Sequence, residues 1–478
     1  MGRATDAAER SRSFVAAQRS RFVEELAEWV RIPSVAGDPD RAEAMRWSAA
    51  HLAARLRAVG FPRVEVWPQG ETFAVFGEWM PHPGGPTVLV YSHHDVRTVH
   101  AEDWKETAPF EPAVRDGVMF GRGSSDAKGQ VAAHLLGLAA HVAVDGGPAV
   151  NLRFVVDGEE ELGSPHLADL LEAHRDDVAA DLVVYSDTLL ADAERPAVCT
   201  SVRGMIGATL TVHGPDVDVH SGTVSGTAPN PIHDLAAVIA DLHDDEGRIV
   251  VPGIGDVPSP DEHDRDEFDG LGLRPEDWAE QTETARVVGD GEHSLPQRLW
   301  ARPAIEVIGI TGGDTEGLPR SVIPATASAD LSIRLVGDQD PQAVAAHLEA
   351  WMADRLRGIR YDLEFDHLTA EAPYRTPEHP ALDALAAAMA VGFDVDPDEV
   401  GRMGNGGGGP AALVARATGA PVVFFGTGLP SDRWHAPDER VRLDVLERGA
   451  LTLAEFWRRA PGALTGAPDT DDAVSDGR

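Results

Sequence analysis

The sequence predicts an α/β fold: a mixed, largely parallel sheet flanked by helices, with a smaller inserted α+β domain. Strand-like apolar runs alternate with helical periodicity near both ends of the chain, which is typical of a sheet covered by helices. Between them the pattern changes to strands that alternate like a half-exposed sheet. The length of 478 residues indicates two or three domains rather than one core.

The N-terminal part of the chain alternates predicted helices and strands. Gly60 ends the second helix, and a third helix lies between the last two strands of the β-α-β run. The predicted helices are 14–30, 45–59 and 130–141, and the predicted strands are 64–66, 72–76, 87–91, 152–156 and 182–185.

The predicted insert covers residues 201–374 and resembles a ferredoxin-like lid or dimerisation domain, which leaves 1–200 and 375–478 for the catalytic domain. Its predicted strands are 205–212 and 328–335, and its predicted helices are 231–242 and 341–356. The acidic stretch Asp244–Leu299, rich in Gly and Pro, predicts an elaborated loop or a lid. The later elements are predicted at 381–391, 421–425 and 443–458, and the polar tail 466–478 is predicted to be disordered.

The composition excludes several classes of function. A net charge of −38 and a pI near 4.7 disfavour nucleic acid and anionic membranes as partners, because both would repel the chain. Cys199 is the single cysteine, so no disulfide can form within the chain. Residues 1–21 lack a continuous apolar run, so we expect neither a signal peptide nor a spanning helix, and a cytoplasmic location.

Acids and histidines follow several of the predicted strands. In open α/β sheets ligands gather at the carboxyl ends of strands, so side chains that are distant in sequence can meet there. Two imidazoles and several carboxylates are the inventory of a two-metal hydrolase, which predicts metal-assisted hydrolysis. The residues are His93, Asp95, Asp126, Glu159, Glu160, Glu161, Asp187 and His435.

Strand alternation selects one of two adjacent histidines. Because side chains on a strand alternate, His93 and Asp95 point the same way and His94 the opposite way. His93 is therefore the predicted ligand, and Asp95 is expected to bind its other ring nitrogen and fix the tautomer. Taken alone, the segment could also be a solvated polar strand end.

The glycine-rich loop before Asp126 allows two other interpretations. Residues 123–127 partly resemble a serine nucleophile elbow, but that hypothesis leaves the acidic cluster unexplained. A phosphate-binding loop is excluded because no Gly-Lys-Ser/Thr occurs. A carboxylate at the start of the following helix is suitable for sharing between two cations.

Three consecutive glutamates, Glu159–Glu161, follow a buried-looking strand. Their mutual repulsion is costly unless cations or protons relieve it, although a run of glutamates can also be a solvated face. One of them can bind metal while its neighbour takes a proton from water. Asp187 or His435 alone would be a weak indication of a metal site. Each supports that hypothesis only together with the other acids and histidines.

Together these motifs resemble the M20 metallopeptidase family, most closely its branch of carnosinase-like and cytosolic non-specific dipeptidases. The matching motifs are His-x-Asp at 93–95, Gly-Arg-Gly-x-x-Asp-x-Lys-Gly at 121–129, Glu-Glu-x-Gly-Ser at 160–164, Ser-Asp at 186–187, and the final His435. The resemblance implies Glu160 as general base, with Glu159 outside the site. It implies that one metal binds His93, Asp126 and Asp187, and the other binds Asp126, Glu161 and His435.

The resemblance also implies substrate contacts. His220 would stabilise the oxyanion in the partner subunit, Ser321 would supply a hydroxyl, and Arg334 would clamp the substrate carboxylate, a task that suits a planar guanidinium. Where the family has Gly-Gly-Ser-Ile-Pro, this chain has glycine at 406–409 before Pro410. The serine hydroxyl is missing, and backbone N–H groups around Gly407 and Gly408 are an alternative anion nest.

The sequence thus predicts a homodimeric dipeptidase that cleaves small peptides with a water bridging two divalent metal ions. Zinc is the expected metal, and manganese or cobalt also suit mixed imidazole and carboxylate ligands. The rival within the same fold is an amidohydrolase that removes acyl groups from N-acyl amino acids. A metal-dependent binding protein without turnover is the rival from another class.

Overall fold

In the computed structural model of the chain, residues 2–313 and 320–465 are described. The disorder predicted for 466–478 therefore falls outside the described residues. The first segment contains α1 (Gly2–Val30), α2 (Ala42–Val59), β1 (Arg63–Gln69), β2 (Thr72–Trp79), β3 (Thr87–His93), β4 (Ala113–Arg115), β5 (Val118–Phe120), α3 (Lys128–Asp145), β6 (Asn151–Asp157), α4 (Leu167–Ala173), α5 (Arg175–Val178), β7 (Leu182–Tyr185) and β8 (Ala197–Val202).

The middle segment forms a second sheet with its own helices. It contains β9 (Gly204–His213), β10 (Val219–His220), α6 (Ser221–Val224), α7 (Pro231–Ala240), α8 (Glu262–Gly270), α9 (Pro275–Gln281), α10 (Leu295–Ala301), β11 (Ala304–Gly312), β12 (Val322–Ile323), β13 (Thr326–Leu335), α11 (Pro341–Arg355) and β14 (Arg360–Glu371). The last segment contains β15 (Tyr374–Arg375), α12 (Pro380–Phe393), β16 (Gly401–Asn405), α13 (Ala411–Thr418), β17 (Val422–Phe424), β18 (Arg440–Arg442) and α14 (Leu443–Thr465).

The main sheet has the strand order β1-β2-β6-β3-β7-β17-β8-β15, with β16 paired to β8. Its centre, from β6 to β17, is parallel, and its two ends contain antiparallel pairs, so the predicted mixed sheet is confirmed. Every residue of β3 is buried. Val88 and Val90 pack with α3, whereas Leu89 and Tyr91 pack with α4 and α13 on the other face. Burial on both faces explains the continuous apolar run of this strand.

The insert sheet has the order β11-β13-β9-β14, and its neighbouring strands run antiparallel. Helices α7 and α11 cover one face through Leu235, Val238, Val344 and Leu348. The edge strands β11 and β14 were not predicted, because polar and glycine residues interrupt the apolar signal of a sheet that is covered on only one face.

Part of the acidic stretch is ordered structure rather than a loop. Helices α8 and α10 pack against β16 of the main sheet, where Phe268, Leu271 and Trp300 join Met403 in one apolar cluster. A few large apolar side chains among many acids are enough to dock this segment. Helix α1 also begins at Gly2, well before the predicted Phe14. Within the described residues, no helix is both long and apolar enough to cross a membrane.

Candidate metal centre and active site

The acids and histidines converge at one edge of the main sheet. His93 is the last residue of β3, Asp187 follows β7, and the Glu160–Leu162 turn follows β6. These three strands are parallel neighbours, so their carboxyl ends lie side by side. Asp126 precedes α3, and His435 lies in the turn before β18.

One carboxylate lies between two imidazoles. Asp126 Oδ1 is 3.1 Å from His93 Nε2, and Asp126 Oδ2 is 3.1 Å from His435 Nε2. Asp187 Oδ1 is 3.7 Å from His93 Nε2, and Glu161 Oε2 is 3.1 Å from His435 Nε2. Asp126 therefore has the position of a ligand shared by two cations.

The side chains form two groups, and within each group the ligand atoms lie within 4.8 Å of one another. One group is His93, Glu160 and Asp187, and the other is Asp126, Glu161 and His435. The second group equals the predicted ligand set of one metal. The first group contains Glu160, whereas the resemblance implies Asp126 as the third ligand beside His93 and Asp187. Asp126 also contacts His93.

Several buried carboxylate oxygens of the cluster lack a backbone donor. Among the described residues, Glu161 Oε1 is buried without a hydrogen-bond partner, and the buried Asp126 Oδ2 and Asp187 Oδ1 face the imidazoles of His435 and His93 at 3.1 and 3.7 Å. Burying an unpaired charged oxygen is costly, and a cation removes that cost. Carboxylates and neutral imidazoles are ligands of zinc and similar divalent metals. The residues present thus fit two divalent cations.

The protonation equilibria of the cluster are strongly perturbed. Burial lowers the pKa of His93, but contacts with Asp126, Asp187 and Asp95 outweigh it and raise that pKa well above its usual value. Burial also lowers the pKa of His435, but its contacts with Asp126 and Glu161 outweigh this effect and raise the pKa to about 10. Without metal both imidazoles are protonated near neutral pH, so metal binding must release protons.

Glu160 is the half-buried acid of the cluster. Burial and the nearby charges of Asp187 and Glu161 raise its pKa well above the usual value, with His93 opposing. A carboxyl group with a raised pKa can accept a proton and return it near neutral pH, as a general base and acid must.

Asp95 connects the histidine to the glutamate turn. Its Oδ1 is 3.4 Å from His93 Nδ1, while that nitrogen makes its hydrogen bond with the backbone carbonyl of Asp95 at 3.1 Å. It also accepts the backbone N–H groups of Glu160 and Glu161 at 3.2 and 3.0 Å, a role that the sequence did not suggest. His94 points away, towards Ser48 and the Phe73 carbonyl.

Glu159 faces away from the cluster. Its carboxylate accepts the backbone N–H of His166 at 2.6 Å and the side chain of Gln69 at 3.2 Å. The hydroxyl of Ser125 contacts Asp432 and Trp434, and among the described residues no imidazole contacts it, which disfavours a serine nucleophile.

Sequence reasoning missed the residue that holds the Asp126 loop. Glu439 is fully buried and accepts the backbone N–H groups of Gly123, Ser125 and Asp126 at 3.0–3.1 Å. It also pairs with Arg122 at 2.6 Å. The available signal was an arginine inside a glycine-rich loop, because a buried guanidinium requires an acidic partner.

A model of peptidase family M20/M25/M40 matches residues 89–459 of the chain. The protein belongs to this peptidase family. It is 29% identical to the Beta-Ala-His dipeptidase of Rattus norvegicus over 467 residues, covering 93% of this chain and 94% of that protein. It is also 29% identical to the cysteinylglycine-S-conjugate dipeptidase of Corynebacterium striatum, covering 92% and 95%. The crystal structure of human carnosine dipeptidase 1 superposes with a TM-score of 0.80 at 26% identity, covering 94% and 98%.

The glycine loop leaves little space for a side chain at position 408. A Cβ at Gly408 would lie 2.7 Å from Glu371 Oε2 and 3.4 Å from Arg334 Nη1. A side chain at 408 would therefore meet the carboxylate of Glu371, which sequence reasoning did not single out. Gly407 uses its carbonyl to accept the Arg203 N–H at 3.1 Å. Burial raises the pKa of Glu371 to about 7, while Arg334 and the Gly409 N–H act in the opposite direction.

His220 and Ser321 lie on an exposed ribbon of the insert. His220 pairs with Val322, and the Ser221 N–H donates to the Ser321 carbonyl at 2.9 Å. Both side chains are exposed, and within the described part of the chain neither contacts the metal cluster. The structure thus brings Arg334, Gly407 and Gly408 together and leaves His220 and Ser321 on a separate surface.

Proposed function

We propose that this member of the M20 family is a dipeptidase that hydrolyses small peptides with two divalent metal ions, zinc being the expected metal. The observation that carries the proposal is the position of Asp126 between His93 and His435, next to the buried carboxylates of Asp187 and Glu161. The dipeptidases to which the chain is similar over nearly its whole length support the same activity.

His93, Asp126 and Asp187 would hold one cation, and Asp126, Glu161 and His435 the other. When bound, the cations supply polarisation of the scissile carbonyl and acidification of a water molecule. Glu160 takes the proton from that water and delivers it to the leaving amine, for which its raised pKa is suited. Asp95 orients His93 and, through the two backbone N–H groups, holds the glutamate turn in place.

Arg334 is the proposed contact for the substrate carboxylate. It is half-buried beside Gly408, and burial lowers its pKa without removing its charge near neutral pH. A guanidinium is suited to binding a carboxylate through two parallel hydrogen bonds, so we propose that Arg334 favours substrates that carry a free carboxylate.

We also propose a homodimer in which His220 of one copy stabilises the oxyanion in the other. The exposed His220–Ser321 ribbon, separated from the metal cluster of its own chain, supports this arrangement. The Ser321 hydroxyl would contact the same substrate. The buried single cysteine supports a cytoplasmic location.

The decisive experiment measures hydrolysis of a panel of dipeptides and of N-acetylated amino acids, with added zinc and with a chelator. We expect metal-dependent turnover of dipeptides that exceeds turnover of the acetylated compounds. Faster cleavage of the acetylated compounds would establish the amidohydrolase instead. Metal binding without turnover of either class would contradict both hypotheses and leave a binding protein.

Mixing two inactive variants tests the dimer. His220→Ala and Glu160→Gln each lack one group, but a mixed dimer contains one site with both groups intact. We expect activity to return on mixing the subunits. If mixed dimers form and remain inactive, His220 does not act across the interface.

A further inference from the structure

A cavity of about 330 Å³ lies beside the metal cluster, between the glycine loop, helices α9 and α10, and the turn before His435. We call it the Trp278 pocket, after the residue that α9 contributes. It has the size of a small ligand site. The proposed catalytic steps do not use it.

The walls of the Trp278 pocket adjoin the active site at three places. Leu189 follows the metal-ligand candidate Asp187 by two residues, and Trp434 immediately precedes His435. Gly407, the neighbour of the Gly408 that lies beside Arg334, forms a third wall. The pocket therefore lies next to the segments that carry Asp187, His435 and Gly408.

The pocket is built for an apolar group. Leucine and tryptophan side chains dominate its lining: Leu189, Leu273, Trp278, Leu299, Trp300 and Trp434. The charged residue of the lining, Arg433, is bound to Glu283 on the far side of α9. The indole N–H of Trp434 donates to Ser125 at 2.8 Å, which leaves the ring face for packing.

The acidic stretch supplies Leu273, Trp278, Thr282 and Leu299 to this lining, and the structure fixes its position. Trp300 packs edge-on against Phe268 with ring centroids 5.3 Å apart. Asp269 binds the side chains of Ser294 and Gln297 at the start of α10. The wall is therefore held to the main sheet by an apolar cluster and by hydrogen bonds.

We propose that the Trp278 pocket receives a leucine- or phenylalanine-sized side chain of the substrate and makes the enzyme selective for dipeptides that contain one. This inference rests on the proposed dipeptidase function and names its substrate class. Apolar pockets of this kind discriminate by roughly 10- to 200-fold in kcat/KM.

The test compares glycylglycine, leucylglycine and glycylleucine on the zinc-loaded enzyme. We expect at least one leucine dipeptide to exceed glycylglycine by about tenfold or more. Thr282→Trp would fill the pocket, because Thr282 is in its lining, and should remove most of that excess. The matched control, Thr284→Trp, lies on the same segment outside the lining and should keep it.

Equal turnover of all three dipeptides, or an excess that survives in folded Thr282→Trp, would overturn the inference. If that variant unfolds in a thermal melt, Trp278→Ala takes its place and should reduce the excess. If no dipeptide is hydrolysed, the proposed function fails. Tryptophan fluorescence then tests separately whether leucylglycine binds to the pocket. Leucylglycine should shift the emission of the wild type, to which Trp278, Trp300 and Trp434 of the lining all contribute, and an unchanged spectrum would overturn the pocket.

Discussion

Two sets of buried acids lie side by side in this protein and differ in how their oxygens are satisfied. Glu439 accepts three backbone N–H groups and pairs with Arg122, so both of its oxygens have donors from the chain itself. Asp126, Glu161 and Asp187 instead face the imidazoles of His93 and His435, and Glu161 Oε1 has no hydrogen-bond partner among the described residues. All four acids are buried, so burial alone does not distinguish a structural acid from a candidate ligand.

The distinction lies in the partners. An acid that is satisfied by backbone and arginine donors stabilises the fold without help, whereas an acid that faces titratable imidazoles is favourable only when those imidazoles are protonated or a metal cation is bound. Glu439 belongs to the first kind and holds the loop on which Asp126, of the second kind, is placed.

The largest expected effect is on turnover and concerns the glutamate run. Glu160→Gln should lower kcat by about 10²- to 10⁴-fold, because the amide can neither accept nor return a proton. Two metal ions should remain bound, as measured by metal analysis of the dialysed protein. Glu159→Gln is the matched control, and its kcat should stay near that of the wild type, since Glu159 faces His166. Loss of metal from Glu160→Gln would contradict its role as base.

The comparison of the two acid sets predicts opposite effects on stability. Glu439→Gln should lower the free energy of unfolding by about 3–5 kcal/mol, with or without metal, because Arg122 loses its buried partner. Asp187→Asn should not destabilise the metal-free protein, since burial raises the pKa of Asp187 and its charged form is unfavourable there. The same variant should lose most of the gain in Tm that zinc gives the wild type. Equal destabilisation of the metal-free protein by both variants would remove the distinction.

A smaller effect is expected at the glycine loop. Gly408→Ser should lower kcat/KM about tenfold, because overpacking of this kind typically costs about 1–3 kcal/mol and the new side chain meets Glu371. Glu371→Ala combined with Gly408→Ser should recover part of the loss by making room. A double variant no better than Gly408→Ser would show that the steric conflict is not the cause.

A separate prediction concerns the pH dependence of the metal-free protein. The pKa of His435 rises from 6.5 when unfolded to about 10 when folded, so its contribution to stability is complete below 6.5 and is lost as the pH rises to about 10. In chelator, the free energy of unfolding measured with urea should therefore fall over that range. His435→Asn should flatten the difference, and an identical slope in the variant would contradict the assignment.

Much of the metal cluster could be predicted from the sequence because strand ends and side-chain alternation are local signals. The period of two was enough to choose His93 over His94, and the order of parallel strands brings Asp187 and the glutamate turn to the same edge. The family motifs supplied the ligand sets and the role of Glu160.

What the sequence could not provide depends on contacts between distant segments. The role of Glu439 could not be predicted without knowing that the segment after His435 packs against the Asp126 loop. Glu371 lies on a strand that was not predicted, and only its position beside Gly408 indicates that it belongs to the candidate site. The docking of α8 and α10 on β16 depends on three apolar side chains within a stretch whose average composition is that of a loop.

The connection between the main sheet and the insert is a narrow two-stranded ribbon. Val202 pairs with Tyr374 on one side of it, and Met205 pairs with Glu371 on the other. Because both crossings of the chain lie together, the covalent connection allows the insert sheet to bend at this ribbon, whereas the packing of α8 and α10 against β16 opposes such a bend. Glu371 lies on that ribbon and Arg334 on the adjoining sheet, so any such bend would move both groups relative to His93 in one concerted displacement.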